Sequence, residues 1–327
     1  KVNPGGREGL SINLYNALNF VFKKKLKLHE LPIIQKKNII FYLNSLRGFI
    51  DGIDLINIKK IIEIITKKQI KIIILDGSNL GILAKILKKK FPKLIIYIFF
   101  HNVESIFFWK SFTQKMSIKK SLIWLVNYYA EKNSISYADK IIYLNERDSI
   151  KLKKIYGRSG DFNLPMIIND KLPSNYMKIN ESNMSQYILF VGADFYANRS
   201  GISWFVKNII PKIKSKLVII GRGFEKLKSE LEIKNKVIVL GSVVSLAKWY
   251  INANFVIAPI FIGSGMKTKI AEGLMFGKKI IGTPEAFVGY EEVPEDILIK
   301  CKTKEDFIKQ ILKFEENKIN KFYKNSR

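Results

Sequence analysis

Cysteine and histidine are nearly absent: 327 residues hold one cysteine, Cys301, and two histidines, His29 and His101. A single thiol excludes an internal disulfide and fits a reducing compartment. Without a cysteine–histidine cluster a structural zinc site is excluded too. Acidic residues are also scarce, 28 against 56 lysines and arginines, for a net charge of +28. No apolar run reaches the ~20 residues that span a bilayer; the longest are strand-sized. The opening residues show no signal-peptide pattern.

What is present points to a large folded chain. Hydrophobic residues make up 47% of it, enough for a sizeable core, and the length suits two domains. The basic excess attracts anionic surfaces: nucleic acid, an anionic leaflet or a phosphorylated substrate. Lysines cluster at Lys23-Lys24-Lys25-Leu26-Lys27, Lys88-Lys89-Lys90 and Lys119-Lys120. Aromatic and aliphatic residues interleave with them, notably Phe107-Phe108-Trp109 and Ile118 to Trp124. Such a mixture favours attachment to a membrane interface, each cation adding about 1 kcal/mol at an anionic leaflet. Exposed faces of core-packed helices are the commoner origin of the same pattern. His29, in a lysine-rich region, reads as incidental.

Apolar runs alternate with amphipathic segments. Ile70 to Leu75, Leu94 to Phe100 and Lys140 to Leu144 read as buried strands. Leu80 to Lys90, Ile118 to Ala138 and Arg147 to Tyr156 read as helices, the last ending at Gly157. Asp170 to Ser185 has linker composition. The alternation then restarts, with strands at Tyr187 to Val191, Lys216 to Ile220, Val237 to Leu240, Phe255 to Ile260 and Lys279 to Gly282. Alternation of this kind implies parallel sheets covered by helices. We expect an α/β chain of two Rossmann-like, doubly wound domains facing a central cleft. The expected limits are 1–170 for the first domain and 183–305 for the second. A helix over 306–327 is expected to pack back toward the amino-terminal domain.

The most informative stretch is Gly263-Ser264-Gly265-Met266-Lys267-Thr268-Lys269-Ile270-Ala271-Glu272-Gly273. It joins the strand ending near Ile260 to a helix over Ile270 to Phe276. A glycine turn entering a helix exposes backbone N–H groups and the positive end of the dipole. Lys267 and Lys269 add charge there, and Glu272 follows Lys269 on the same helix face. The set suits a ligand with a phosphate end and a hydroxyl-bearing end. A solvated basic loop beside a packed helix is the plainer alternative.

With Tyr187-Ile188-Leu189-Phe190-Val191-Gly192, Asn198-Arg199-Ser200-Gly201, Val218-Ile219-Ile220-Gly221-Arg222-Gly223 and Phe99-Phe100-His101-Asn102-Val103-Glu104, the order of motifs resembles the GT-B glycosyltransferases, and within them glycosyltransferase family 4 of the bacterial surface-polysaccharide type. Asn3-Pro4-Gly5-Gly6 is similar to the family's glycine-rich loop, although only two residues precede it and its feeding strand is missing. The sequence departs from the family pattern at two places. Ser264 stands where the first of two glutamates eight positions apart is usual, and Ala193-Asp194 follow Gly192 where a basic residue is common.

The resemblance implies a retaining, metal-independent hexosyltransferase with no cofactor beyond a nucleotide-sugar co-substrate of the UDP or GDP type. It implies same-face attack in which the leaving phosphate accepts the acceptor's proton. No Asp-x-Asp pair of the metal-dependent type appears. His101, Lys267 and Arg199 are the expected catalytic residues, and the site needs positive charge at the leaving diphosphate. Gly192, Gly221, Gly223, Gly265, Met266, Lys267, Lys269 and Glu272 are expected to bind the donor, Glu272 by accepting from the ribose hydroxyls. Gly5, Gly6 and Glu104 are assigned to the acceptor side. The expected acceptor is a saccharide or a lipid-linked one, with the protein cytoplasmic and peripheral on the inner face of the plasma membrane. A nucleotide-sugar epimerase and a non-catalytic basic protein binding nucleic acid are the competing readings, and no nucleic-acid partner is expected.

Overall fold

The computed structural model describes residues 6–32, 39–176, 187–263 and 265–316. They group into two compact units. The amino-terminal unit takes Leu14–Pro165 with Gly265 and Met266; the carboxy-terminal unit takes residues through Asn13, Met166–Gly263 and those from Lys267 on. The change at Met166 falls just before the expected linker. Of that linker, residues 177–186 lie outside the described residues, as does the expected domain start at 183.

Helix α1 (Gly6–Phe22) crosses the division at Asn13, and the amino-terminal unit then runs α2 (Ile39–Leu46), α3 (Leu55–Lys68), β1 (Ile72–Asp76), α4 (Gly81–Lys90), β2 (Ile95–Phe100), α5 (Glu104–Gln114), α6 (Ile118–Tyr137), β3 (Lys140–Tyr143), α7 (Glu146–Tyr156) and β4 (Phe162–Asn163). Its four strands are parallel in the order β1-β2-β3-β4. That order contains no reversal among the described residues, so this sheet is one arm of the doubly wound pattern expected. Ile58, Ile61 and Ile65 recur at helical spacing along α3 and face a core shared with Leu83, Leu87, Ile96 and Ile98. Local chemistry fixes the helix ends. Asp54 accepts a hydrogen bond from Asn57 N at 2.7 Å to start α3. Asn145 caps α7, which stops at Gly157 with φ +79°.

The carboxy-terminal unit runs β5 (Tyr187–Val191), α8 (Tyr196–Asn208), β6 (Lys216–Ile220), a one-turn α9 (Lys228–Leu231), β7 (Val237–Leu240), α10 (Ala247–Asn252), β8 (Phe255–Ala258), α11 (Thr268–Met275), β9 (Ile280–Gly282), β10 (Leu298–Lys300) and α12 (Lys304–Glu316). All six strands are parallel, in the order β10-β9-β8-β5-β6-β7. Chain order reverses between β5 and β8, which makes this a complete doubly wound sheet with its switch point there. Every residue of β5 and of β8 is buried, as strands covered on both faces require. Cys301 is wholly buried in this core. Lys278 is buried as well, its Nζ donating to Ile251 O at 2.8 Å and Ala253 O at 2.9 Å beyond the end of α10.

The structure bears on three further expectations. Gly6 is the first residue of helix α1, and Asn3, Pro4 and Gly5 of the expected glycine loop lie outside the described residues. The helix after the glycine turn begins at Thr268, two residues early. The terminal helix, α12, puts Phe307 and Ile311 into the carboxy-terminal core, where Phe314 also packs. Residues 317–327 lie outside the described residues.

Candidate functional site

The carboxyl end of β5 gathers most of the expected donor-binding residues. Gly192 follows β5 and Gly221 follows β6, their backbones joined by Gly192 N donating to Ile220 O at 2.9 Å. A Cβ on Gly221 would lie 1.7 Å from Gly192 O, so no side chain fits between the two strand ends. Gly223 has φ +96° and starts a short 3-10 turn, where an added Cβ would strike that of Asp194.

Lys269 reaches this point from α11. Its Nζ donates to Asn198 Oδ1 at 2.7 Å, while Asn198 Nδ2 donates to Ala193 O at 2.7 Å. The ammonium also sits 4.1 Å from the centre of the Phe190 ring. An added Cβ on Gly192 would lie 2.6 Å from Asn198 Nδ2 and 2.9 Å from Lys269 Nζ. The missing side chain at Gly192 thus gives a buried cation its place at the switch point. Burial, and secondarily the charge of Lys267, bring the Lys269 pKa down to about 7.

Two residues earlier, Lys267 pairs with Glu285 Oε1 at 3.0 Å, and its carbonyl accepts from the Tyr290 hydroxyl at 2.9 Å. No side chain caps the first turn of α11 at its N-cap, Lys267. Glu272 is half-buried, and its Oε2 accepts from the Tyr250 hydroxyl at 3.2 Å. Tyr250 is wholly buried and stacks on Phe276. Burial raises the Glu272 pKa, opposed by Lys171, by the tyrosine hydroxyl and by Lys269. Glu272 therefore borders the apolar core through a hydroxyl instead of pointing into it.

Arg199 stands apart. It lies on α8, and its Nε and Nη2 meet the two oxygens of Asp194 at 2.8 and 2.5 Å. The fork that would grip a phosphate is occupied by a carboxylate; the acidic residue in the family's basic position takes the arginine for itself. Gly265 has φ +63°, and it and half-buried Met266 belong to the amino-terminal unit. Ser264 lies outside the described residues.

In the amino-terminal unit, His101 directly follows β2, is 8% exposed, and its Nε2 lies 2.5 Å from Asp76 Oδ1. Glu104 opens α5, and its backbone N donates to Glu131 Oε1 at 2.7 Å. Sequence reasoning gave no role to Asn198, Tyr250, Glu285, Asp76 or Glu131. Asn198 stood inside a quoted motif, and Asp76 ends a buried strand before a glycine, which is a usable signal. Glu131, mid-helix, gave none.

Residues 185–317 match the family model described as Glycosyl transferases group 1. The sequence matches none of the curated proteins. Among solved structures the chain resembles HepE from Anabaena in complex with UDP-glucose, with a TM-score of 0.64 at 12% identity over 97% of this chain and 88% of that one. The apo lipopolysaccharide outer core galactosyltransferase WaaB gives 0.58 at 15% identity, over 98% and 89%. A glycosyltransferase from Rickettsia africae gives 0.56 at 16%, over 94% and 82%. The fold is that of the GT-B glycosyltransferases. The match to the group 1 family model falls almost wholly within the carboxy-terminal unit.

Proposed function

We propose that this protein moves a sugar, with retention of configuration, from a UDP-sugar to a saccharide or lipid-linked acceptor in bacterial surface-polysaccharide synthesis. The single observation that carries the reading is the cluster at the sheet's switch point. Buried Lys269, Lys267 and the uncapped start of α11 put positive charge where ligands of doubly wound sheets sit, and Glu272 stands one turn on.

Breaking the anomeric C–O bond develops oxocarbenium character on the sugar and negative charge on the leaving diphosphate. Preorganised cations in a desolvated place stabilise that charge more in the transition state than in the ground state. Lys267 and Lys269 supply them without a metal. Glu272 Oε2 is held by Tyr250, which orients the carboxylate so that its other oxygen accepts from the ribose diol. The leaving phosphate takes the proton of the attacking hydroxyl on the same face. UDP is favoured because HepE, which shares the fold, is seen with UDP-glucose.

The lipid-linked acceptor is supported by the surface of the amino-terminal unit. Trp109 of α5, Met116 between the two helices, and Ile118, Leu122 and Tyr129 of α6 are exposed, as are Lys115 and Lys119. At the end of α1, Phe20 and Val21 are exposed before Lys23-Lys24-Lys25. Large apolar side chains exposed beside cations suit the interface of an anionic leaflet.

Calorimetry and thermal-shift assays with UDP-, GDP-, ADP- and CMP-sugars test the reading. A UDP-sugar present at about 100 times its Kd should stabilise the fold by about 2.7 kcal/mol. Glu272→Ala should weaken UDP binding about 10- to 100-fold by removing a charged hydrogen-bond acceptor. Failure of every nucleotide sugar to bind would overturn the proposal, and conversion of the donor with no acceptor present would replace it with an epimerase.

A further inference from the structure

Strands β8 and β9 are parallel neighbours, in register from Val256 with Ile280 to Ala258 with Gly282. Their carboxyl ends therefore release two loops side by side. One is the glycine turn that leads into α11; the other is a 3-10 turn, Pro284–Phe287. The second turn is fixed at both ends. Thr283 N donates to Ala258 O at 3.2 Å, and the Thr283 hydroxyl donates to Ile260 O. Ala286 and Phe287 are buried in the core. Glu285 is thus held with its carboxylate toward the glycine turn. Its Oε1 lies 3.0 Å from Lys267 Nζ, with side chains 18% and 9% exposed. A Cβ on Gly263 would lie 3.3 Å from that oxygen and 3.4 Å from Lys267 Nζ, so a side chain there would crowd the pair.

The pair stands where the functional reading places a diphosphate. Two ammonium groups flank the start of α11, and the charge of Lys267 is felt at Lys269. Glu285 neutralises one of them before any ligand arrives. A carboxylate beside a diphosphate is a like charge and costs affinity. A mostly buried ammonium deprived of its carboxylate is also costly, and it favours any other anion within reach. We propose that Glu285 is a resident counter-anion that holds Lys267 in the ligand-free protein and competes with the diphosphate for it, so limiting affinity for the nucleotide product and speeding its departure. This rests on the glycosyltransferase reading above and deepens it: Lys267 serves the diphosphate only by exchanging partners. Glu285 acts through Lys267 and is not a catalytic residue. A plain tie between the two turns is the alternative, and it predicts no gain in affinity when the charge is removed.

Glu285→Gln keeps the shape and removes the charge. In the full chain it should bind UDP about 10- to 100-fold more tightly than the unaltered protein, with the gain in the dissociation rate. Equal or weaker UDP binding, with a lowered melting temperature, marks a structural tie and overturns the proposal. A crystal of the unaltered protein with UDP gives a reading that does not depend on the variant's folding. Lys267 Nζ should have left Glu285 Oε1 for a phosphate oxygen; bound UDP with the pair still at 3.0 Å overturns the proposal. Inorganic pyrophosphate separates the inference from the reading beneath it. If UDP binds neither protein, the nucleotide-sugar reading falls. Tighter pyrophosphate binding by Glu285→Gln would then still uphold the counter-anion, and equal, weaker or absent binding would overturn it too.

Discussion

Lys269 is the titratable group on which the site proposed for the carboxy-terminal unit turns. Its pKa of about 7 in the fold lies below the ordinary lysine value of 10.5, because burial disfavours the ammonium. Below pH 7 the folded and unfolded chains both carry the charge. Between about pH 7 and 10.5 the unfolded chain binds the extra proton, so this residue makes stability rise with pH across that window. A diphosphate prefers the ammonium, so ligand binding above pH 7 should take up a proton, and affinity should fall by up to about tenfold per pH unit. Calorimetry of UDP in buffers of different ionisation enthalpy measures that uptake. Lys269→Met should abolish it and weaken binding while leaving the melting temperature unchanged or higher near pH 7, since a buried charge is removed. A lower melting temperature with unchanged affinity would mark Lys269 as structural. The sequence placed both lysines at the helix start but could not rank them. Ranking depends on Asn198 and Phe190, which come from other elements, and on Glu285, which takes Lys267 into an ion pair.

At the scale of elements, the start of α5 depends on α6. Glu131 is fully buried, and its oxygens accept from Glu104 N at 2.7 Å, Ser105 N at 3.0 Å and the Tyr156 hydroxyl at 2.9 Å. Burial raises its pKa, opposed by hydrogen bonds from Ser105, Glu104 and Ser78, so its contribution to stability declines as pH rises above the ordinary carboxylate value. Glu131→Ala removes the acceptor that the Glu104 and Ser105 amides share, while the Tyr156 hydroxyl keeps Ser105 Oγ at 2.9 Å, and should cost about 3–5 kcal/mol. Hydrogen exchange should show faster exchange at the Glu104 and Ser105 amides; unchanged protection would refute the capping role. The same scale shows what the sequence revealed. Strands such as Tyr187–Val191 and Lys216–Ile220 were legible because a strand buried on both faces is a continuous apolar run. The helices α1 to α3 went unread, although Asp51-Gly52 and the capping Asp54 stand directly before α3. The strand Leu298–Lys300 was missed because three residues carry no period. The candidate site was legible where glycines and charges cluster in one segment. At Arg199 the sequence left a phosphate contact and a pairing with Asp194 both open, and the geometry gives the arginine to Asp194.

For the whole molecule, the charge of +28 acts together with the exposed apolar residues of α1, α5 and α6. Vesicles with an anionic lipid should capture the protein in flotation, and neutral vesicles should not. Binding should weaken as salt shortens the screening length from about 10 Å at 0.1 M to about 3 Å at 1 M. Replacing Trp109 and Ile118 by serine should reduce capture at every salt concentration, because the apolar part is insensitive to screening. Equal capture by neutral and anionic vesicles, or none at moderate salt, would remove the membrane from the functional reading.

The lone thiol gives the protein a built-in witness to its own opening. Cys301 sits in the core of the carboxy-terminal unit, and burial pushes its pKa up to about 12, so its reactive anion is scarce in the closed form. An alkylating reagent that marks this sulfur therefore dates the moment the carboxy-terminal unit comes apart. Events confined to the other half of the chain leave no trace on it.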